Sequence, residues 1–179
     1  MKGFFNQVLN IDLSERTYYP EHIPDDVFKV YLGGKGLASY LLFKKNKAGV
    51  DPFSDENHFI IALGPANNTP IWGTGRYGVF TKSPLTGFIS HSYSGGKIAE
   101  PISRTGYDAI VLKGKSDKPV FLEISDEGVV FHDARDIWGK DTYQSEDMIL
   151  ERTGKNKAGA FVIGPAGERL VKFASVVNN

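Results

Sequence analysis

Cysteine is absent from this sequence. No disulfide can brace the chain, no thiolate can ligate zinc, and no cysteine can act as a nucleophile. Iron–sulfur clusters are held by thiolates, so this chain alone holds none. Neither sign of charge prevails, since 21 acidic side chains balance 21 basic ones. Nucleic-acid binders carry a basic excess or a basic face, so that class is excluded. No apolar run approaches the roughly 20 residues of a membrane-spanning helix. The opening "MKGFFNQVLNIDL" has no long apolar core of the kind a secretory signal needs. The expectation is a cytoplasmic protein that engages neither membrane nor nucleic acid.

What is present fits one sizeable domain across residues 1–179. Hydrophobic residues make up 41% and aromatic residues 12%, enough for a packed core. Glycine is abundant, at 20 residues, and clusters at apparent turns as a backbone device. Alternation predicts a hairpin with strands near Gln7–Leu13 and Arg16–Pro20. Pro24, Asp25 and Asp26 read as a helix start, with Gly33-Gly34 as its stop. A second amphipathic helix follows through "GLASYLLFKKN". "HFIIALGPA", "RYGVFTKS" and "GFISHSYS" read as strands, "GGKIAEPISRTG" as a short helix broken by Pro101. Three more strands precede a helix from Asp141 to Gly154. "AGAFVIGPAG" and "RLVKFASVV" read as closing strands. About ten strands and three or four helices predict an α+β fold. "FIIALGPANN" and "AFVIGPAGER" both run strand, Gly-Pro-Ala, loop, which is the mark of either an internal repeat or a common strand ending.

Motif by motif, most chemistry falls away. "GGKGLAS" has the spacing of a dinucleotide fingerprint but follows a helix-like segment, so a helix–helix corner is favoured. "GTGRYG" lacks the Lys-Ser/Thr pair of a phosphate loop. His22, His58, His91 and His132 show no metal spacing and read as surface or packing residues, with His91 on the most unusual strand. Tyr18, Tyr19, Tyr31, Phe43 and Trp138 read as core or hydrophobic face. The stretch "GRYGVFTKSPLTGFISHSYSGG" remains. Arg76 lies between glycines that allow close backbone approach. Its guanidinium suits a phosphate or a planar heterocycle. Ser94, Gly95 and Gly96 precede a short helix, where free N–H groups form an anion-accepting nest. Two readings stand: a site for a phosphorylated, partly planar cofactor, or a tight sheet corner with a surface arginine.

The segments "LGGKGLASYLL", "VDPFSDENHFIIALGP", "GRYGVFTKSPLTGF" with "SGG", "GYDAIVLKGKSDKPV", "DARDIWGKDT" and "IGPAGERLVKFASVVN" span almost the whole chain. In that order and spacing they resemble the N-terminal domain of the tungsten-containing aldehyde ferredoxin oxidoreductases. The resemblance implies two β-sheets in a pseudo-symmetric pair with a few short helices. It implies a floor for a tungsten bis-pterin cofactor, contacted by Arg76. It implies that Tyr93, Ser94, Gly95 and Gly96 line a pterin phosphate and its bridging magnesium, although Tyr93 stands where the family usually has asparagine. Tungsten takes its ligands from pterin dithiolene sulfurs. The family's [4Fe–4S] cluster, substrate residues and helical domains belong to further polypeptide, which would partner this chain. The parent reaction turns an aldehyde into a carboxylic acid and passes electrons to ferredoxin. By itself the chain is expected to be inactive and to bury its cofactor face in a homo-oligomer. The alternative is a non-catalytic scaffold or interaction module that keeps the fold.

Overall fold

The computed structural model describes residues 2–154 and 158–178. Its centre is a mixed six-stranded sheet. The strands are β1 (Gln7–Asp12), β2 (Thr17–His22), β3 (Phe59–Leu63), β4 (Tyr77–Lys82), β5 (Ile89–Ser94) and β6 (Ala109–Lys113), in the order β2-β1-β6-β3-β4-β5. Strand β1 pairs with β6 in parallel, and every other pairing in the sheet is antiparallel. The central strands are apolar on both faces, as a doubly covered sheet requires.

One face carries Val8, Ile60, Ala62, Phe80, Ala109 and Val111. It is covered by α1 (Asp25–Tyr31), through Phe28, and by α2 (Gly34–Lys45), through Leu37, Leu41 and Leu42. Phe28, Leu37, Leu41 and Phe80 are wholly buried. Each such side chain contributes about 1.5–3 kcal/mol of transfer free energy. The other face carries Leu9, Ile11, Ile61, Leu63 and Ile110. It meets α3 (Ala99–Arg104) and the hairpin of β7 (Val120–Ser125) and β8 (Gly128–Asp133). Phe161 of the ribbon made by β9 (Phe161–Val162) and β10 (Val177–Asn178) packs there too. Helices α4 (Thr142–Thr153) and α5 (Pro165–Glu168) complete the described elements. The fold is α+β with mixed sheets and short helices, as expected.

The Gly-Pro-Ala echo is architectural. The first half runs hairpin, helices, β3, Gly64-Pro65-Ala66, β4, and the second runs hairpin, α4, β9, Gly164-Pro165-Ala166, β10. Strands β3 and β4 pair antiparallel, as do β9 and β10. Even the turn bond recurs: Asn67 N donates to Gly64 O at 3.1 Å, and Gly167 N to Gly164 O at 2.9 Å.

Several expectations need correction. Helix α1 ends at Leu32, which takes the left-handed φ of 56° itself, and Gly33 caps the start of α2 instead. Pro101 does not break α3, because it sits in the first turn, where a missing N–H costs nothing. The closing strands shrink to Phe161–Val162 and Val177–Asn178. The residues between form α5 and turns, with Leu170 at φ 56°. Phe43, Tyr19, Tyr31, Tyr18 and Trp138 are exposed and not core, and the wholly buried places are held by Phe28, Phe80 and aliphatic side chains.

The "GGKGLAS" corner needs its glycines for packing. A Cβ on Gly36 would lie 1.8 Å from the Tyr31 carbonyl oxygen, and one on Gly33 would lie 2.8 Å from that of Leu63. The helix–helix corner is therefore the correct reading of this segment.

Candidate cofactor-facing site

Strands β4 and β5 and the turn into α3 bring all five expected residues together. Arg76 immediately precedes β4 and is exposed. Tyr77 and Gly78 of β4 face Ser94 and Tyr93 of β5 across the ladder. This register carries the end of β5 to the arginine. The guanidinium then lies across Gly95: a Cβ there would stand 2.8 Å from Arg76 Nη1 and 3.3 Å from the Gly75 carbonyl oxygen. Gly95 is buried, so the glycine makes room for the arginine and not for solvent. Gly96 follows with a φ of 82°, which an L side chain rarely adopts.

Tyr93 is half exposed on β5. Its ring meets Phe80 edge-on at 6.0 Å and His91 at 5.4 Å. Gly78 makes that cluster possible, since its Cβ would fall 2.6 Å from the Phe80 ring and 3.1 Å from the Tyr93 ring. His91 in turn lies 3.5 Å from Lys35 Nζ on α2. Lys97 is exposed just beyond Gly96. Neither Arg76 nor Lys97 makes an ion pair among the described residues. An exposed guanidinium with no acid to satisfy it keeps its donor fork for an anion or a planar acceptor.

Three residues of this site escaped the sequence reading. Asn178 reaches over from β10: its Oδ1 accepts from Tyr77 Oη at 2.7 Å and from Ser94 Oγ at 3.1 Å. Its Nδ2 donates to the Gly95 carbonyl at 2.9 Å. One side-chain amide of the second half thus pins the backbone beneath the arginine. Tyr77 is the second. Burial pushes its hydroxyl pKa up, partly offset by the Ser94 hydroxyl. Asn67 is the third. Its Nδ2 donates to the Arg76 carbonyl at 2.6 Å, which fixes the arginine backbone. Its Oδ1 is buried and has no hydrogen-bond partner among the described residues. No local pattern pointed to Asn67 or Asn178. Beside them, the loop between β3 and β4 holds Trp72 fully exposed.

A family model described as the aldehyde ferredoxin oxidoreductase N-terminal domain matches residues 8–179. The chain belongs to that family. It is 44% identical over its whole length to the tungsten-containing aldehyde ferredoxin oxidoreductase of Pyrococcus furiosus. It is 42% identical to that of Thermococcus kodakarensis. In both cases it spans only 30% of the relative. Among solved structures, the active-site complex BamBC of benzoyl coenzyme A reductase with 1,5-dienoyl-CoA superposes with a TM-score of 0.95 at 32% identity. That match covers 99% of this chain and 27% of the other. Membership thus rests on sequence and fold alike.

Proposed function

We propose that this aldehyde ferredoxin oxidoreductase domain cradles a tungsten bis-pterin cofactor for an enzyme that oxidises an aldehyde to a carboxylic acid. The observation that carries this reading is the Arg76 guanidinium lying across Gly95 beside an exposed Gly96. The fit to the group is supported by the exposed Arg76 guanidinium, which makes no ion pair among the described residues, and by the exposed Gly96 with its φ of 82°. Arg76 would hold the pterin edge through its fork. The backbone of Tyr93, Ser94, Gly95 and Gly96 would face a pterin phosphate and its magnesium. Tyr93 offers a hydroxyl where the family usually has an amide: a backbone contact toward the magnesium would be kept, whereas one that needs the amide side chain would be lost. Among the described residues no group of three or more His, Asp or Glu side chains gathers as a metal site. A metal at this face would take its ligands from the cofactor or from other polypeptide. When bound, the cofactor supplies the redox chemistry. The protein supplies binding, orientation and electrostatics. Ferredoxin, a [4Fe–4S] cluster and the substrate pocket would engage the polypeptide that relatives carry beyond this length.

The test is Arg76→Ala and Arg76→Lys in the complete enzyme, with tungsten and pterin content measured beside thermal stability. Charge-assisted hydrogen bonds contribute about 1.5–3 kcal/mol each. Alanine should therefore weaken cofactor binding at least roughly tenfold while leaving the melting temperature nearly unchanged. Lysine keeps the charge without the planar fork and should rescue only in part. Unaltered cofactor content in Arg76→Ala rejects the clamp. The isolated chain, lacking thiolates, should show no cluster absorption and no aldehyde oxidation.

A further inference from the structure

Six polar or charged residues are buried among the described ones, and three of them, Asn67, Ser103 and Asp108, line one cavity of about 350 Å³. It lies where β3 ends and β6 begins, beside the segment that leads into β1. Leu63 N donates to the Asp108 carbonyl at 3.1 Å, and Asp108 N donates to the Gln7 carbonyl at 2.8 Å, so the three backbones hold this corner together. Asn67 is 9% exposed and Asp108 is 7% exposed. The Asn67 amide is oriented by its Nδ2, which donates to the carbonyls of Gly64 at 3.4 Å and Arg76 at 2.6 Å. That leaves Oδ1 as a buried acceptor with no hydrogen-bond partner among the described residues. The Asp108 carboxylate accepts from Phe5 N at 3.2 Å and from Gln7 N at 3.3 Å. A carboxylate has about four acceptor sites, so acceptor capacity remains. Burial pushes the Asp108 pKa up, against the backbone N–H groups of Phe5, Asn6 and Gln7. No lysine, arginine or histidine is among the described residues that line the cavity.

We infer that this cavity binds a guanidinium group, which donates to Asn67 Oδ1 and to the Asp108 carboxylate. The two polar walls offer acceptors and one negative charge, so the occupant must bring donors and a positive charge. A planar fork of N–H groups can serve an amide oxygen and a carboxylate at once. The remaining walls suit its flat faces, since Phe5, Leu63, Pro65 and Tyr107 also line the space. Water would satisfy Asn67 but leave the buried carboxylate without a counter-charge. A metal ion fits less well, because one carboxylate is the only charged ligand among the lining residues and the space far exceeds a single ion. Two sources share this chemistry: an arginine side chain from polypeptide beyond these 179 residues, or a free guanidino compound.

The experiment uses the 179-residue chain with no cofactor, so its failure is separate from that of the cofactor reading. Methylguanidinium chloride would be titrated at constant ionic strength, with binding read from amide NMR shifts. The backbone amides of Phe5 and Gln7 and the side-chain amide of Asn67 should shift together and saturably. Tetramethylammonium carries the charge without an N–H donor and should produce no such shifts. Asn67→Leu and Asp108→Asn should each weaken methylguanidinium binding at least roughly tenfold. Asp108→Asn can fail to fold, because the carboxylate holds two backbone N–H groups, and the series of cations on the unaltered chain then still decides. The inference is overturned if methylguanidinium gives no saturable shift, which would leave the cavity to water, or if potassium chloride gives the same shifts, which would make it a metal site. Binding that survives Asn67→Leu unchanged would overturn it as well. A crystal structure of the complete enzyme separates the two sources. An arginine side chain in the cavity assigns the first, and an open cavity that takes up methylguanidinium assigns the second. A cavity closed by any other group overturns both.

Discussion

Strands β1 and β7 occupy equivalent places in the two halves and differ in burial. Val8, Leu9 and Ile11 of β1 are 0–1% exposed. Every residue of β7, including Val120, Phe121, Leu122 and Ile124, is only half-buried. The two sequences are similarly apolar, so composition does not explain the contrast. What differs is neighbours: among the described residues β1 is flanked by β2 and β6, whereas β7 pairs with β8 alone. Burial of a strand is therefore a property of the completed sheet. Local opening is expected to follow the same division, with amides of β7 and β9 exchanging faster than those of β1, β3 and β6.

The sharpest way to test the contrast is to cut equivalent weight from each half. Phe80→Ala removes a wholly buried ring packed beneath α2 and should destabilise by about 3–5 kcal/mol. Leu122→Ala, from a half-buried position, should cost less than half of that. Denaturant unfolding of both variants decides the matter. Equal losses would mean that the second half is as tightly packed as the first.

A smaller effect compares the two helices. Helix α4 begins with Asp141, whose carboxylate accepts from Gln144 N at 2.8 Å, while α2 begins at Gly33 with no side-chain cap. Asp141→Ala should cost about 1 kcal/mol. Gly33→Ala should act by a different route, driving its Cβ against the Leu63 carbonyl, a backbone atom that cannot swing aside. If thermal melts show alanine tolerated at residue 33 and at residue 141 alike, neither the cap nor the close approach holds its helix.

These elements show which features a sequence reveals. Asp141 and Gly154 were legible as the two ends of α4 because capping is settled within one turn of chain. Strands β3 and β6 were legible because each is a near-continuous apolar run, and the β1–β2 hairpin because alternation flanks its turn. Strands β9 and β10 were overextended because alternation around Arg169–Val177 cannot show that its pairing partner lies elsewhere. At the site, Arg76 and Gly95 stood out by residue type and spacing. Asn178 did not, because its role exists only once β10 is folded against Tyr77 and Ser94, 101 and 84 residues away in sequence. Asparagine near a chain's end carries no local signal of that kind.

The smallest expected effect concerns pH and belongs to the closed half. His58 is half-buried just before β3, and its backbone N and ring Nδ1 both meet Asn46 Oδ1, at 3.0 and 2.7 Å. Since that oxygen only accepts, the ring nitrogen donates. Burial holds the imidazole pKa below its ordinary value of 6.5. The ammonium groups of Lys45 and Lys113 push the same way, and Glu56 opposes them. The unfolded chain therefore takes up the proton at a higher pH than the folded one. Stability is fully present above about 6.5, and it falls as pH drops from there through the lowered folded value. Below that value the loss is complete and His58 adds no further slope. His58→Gln removes the titration and should flatten the stability profile as pH falls below about 6.5. Denaturant midpoints across that range provide the measurement. A wild-type slope retained in the variant would assign the acid sensitivity to other groups.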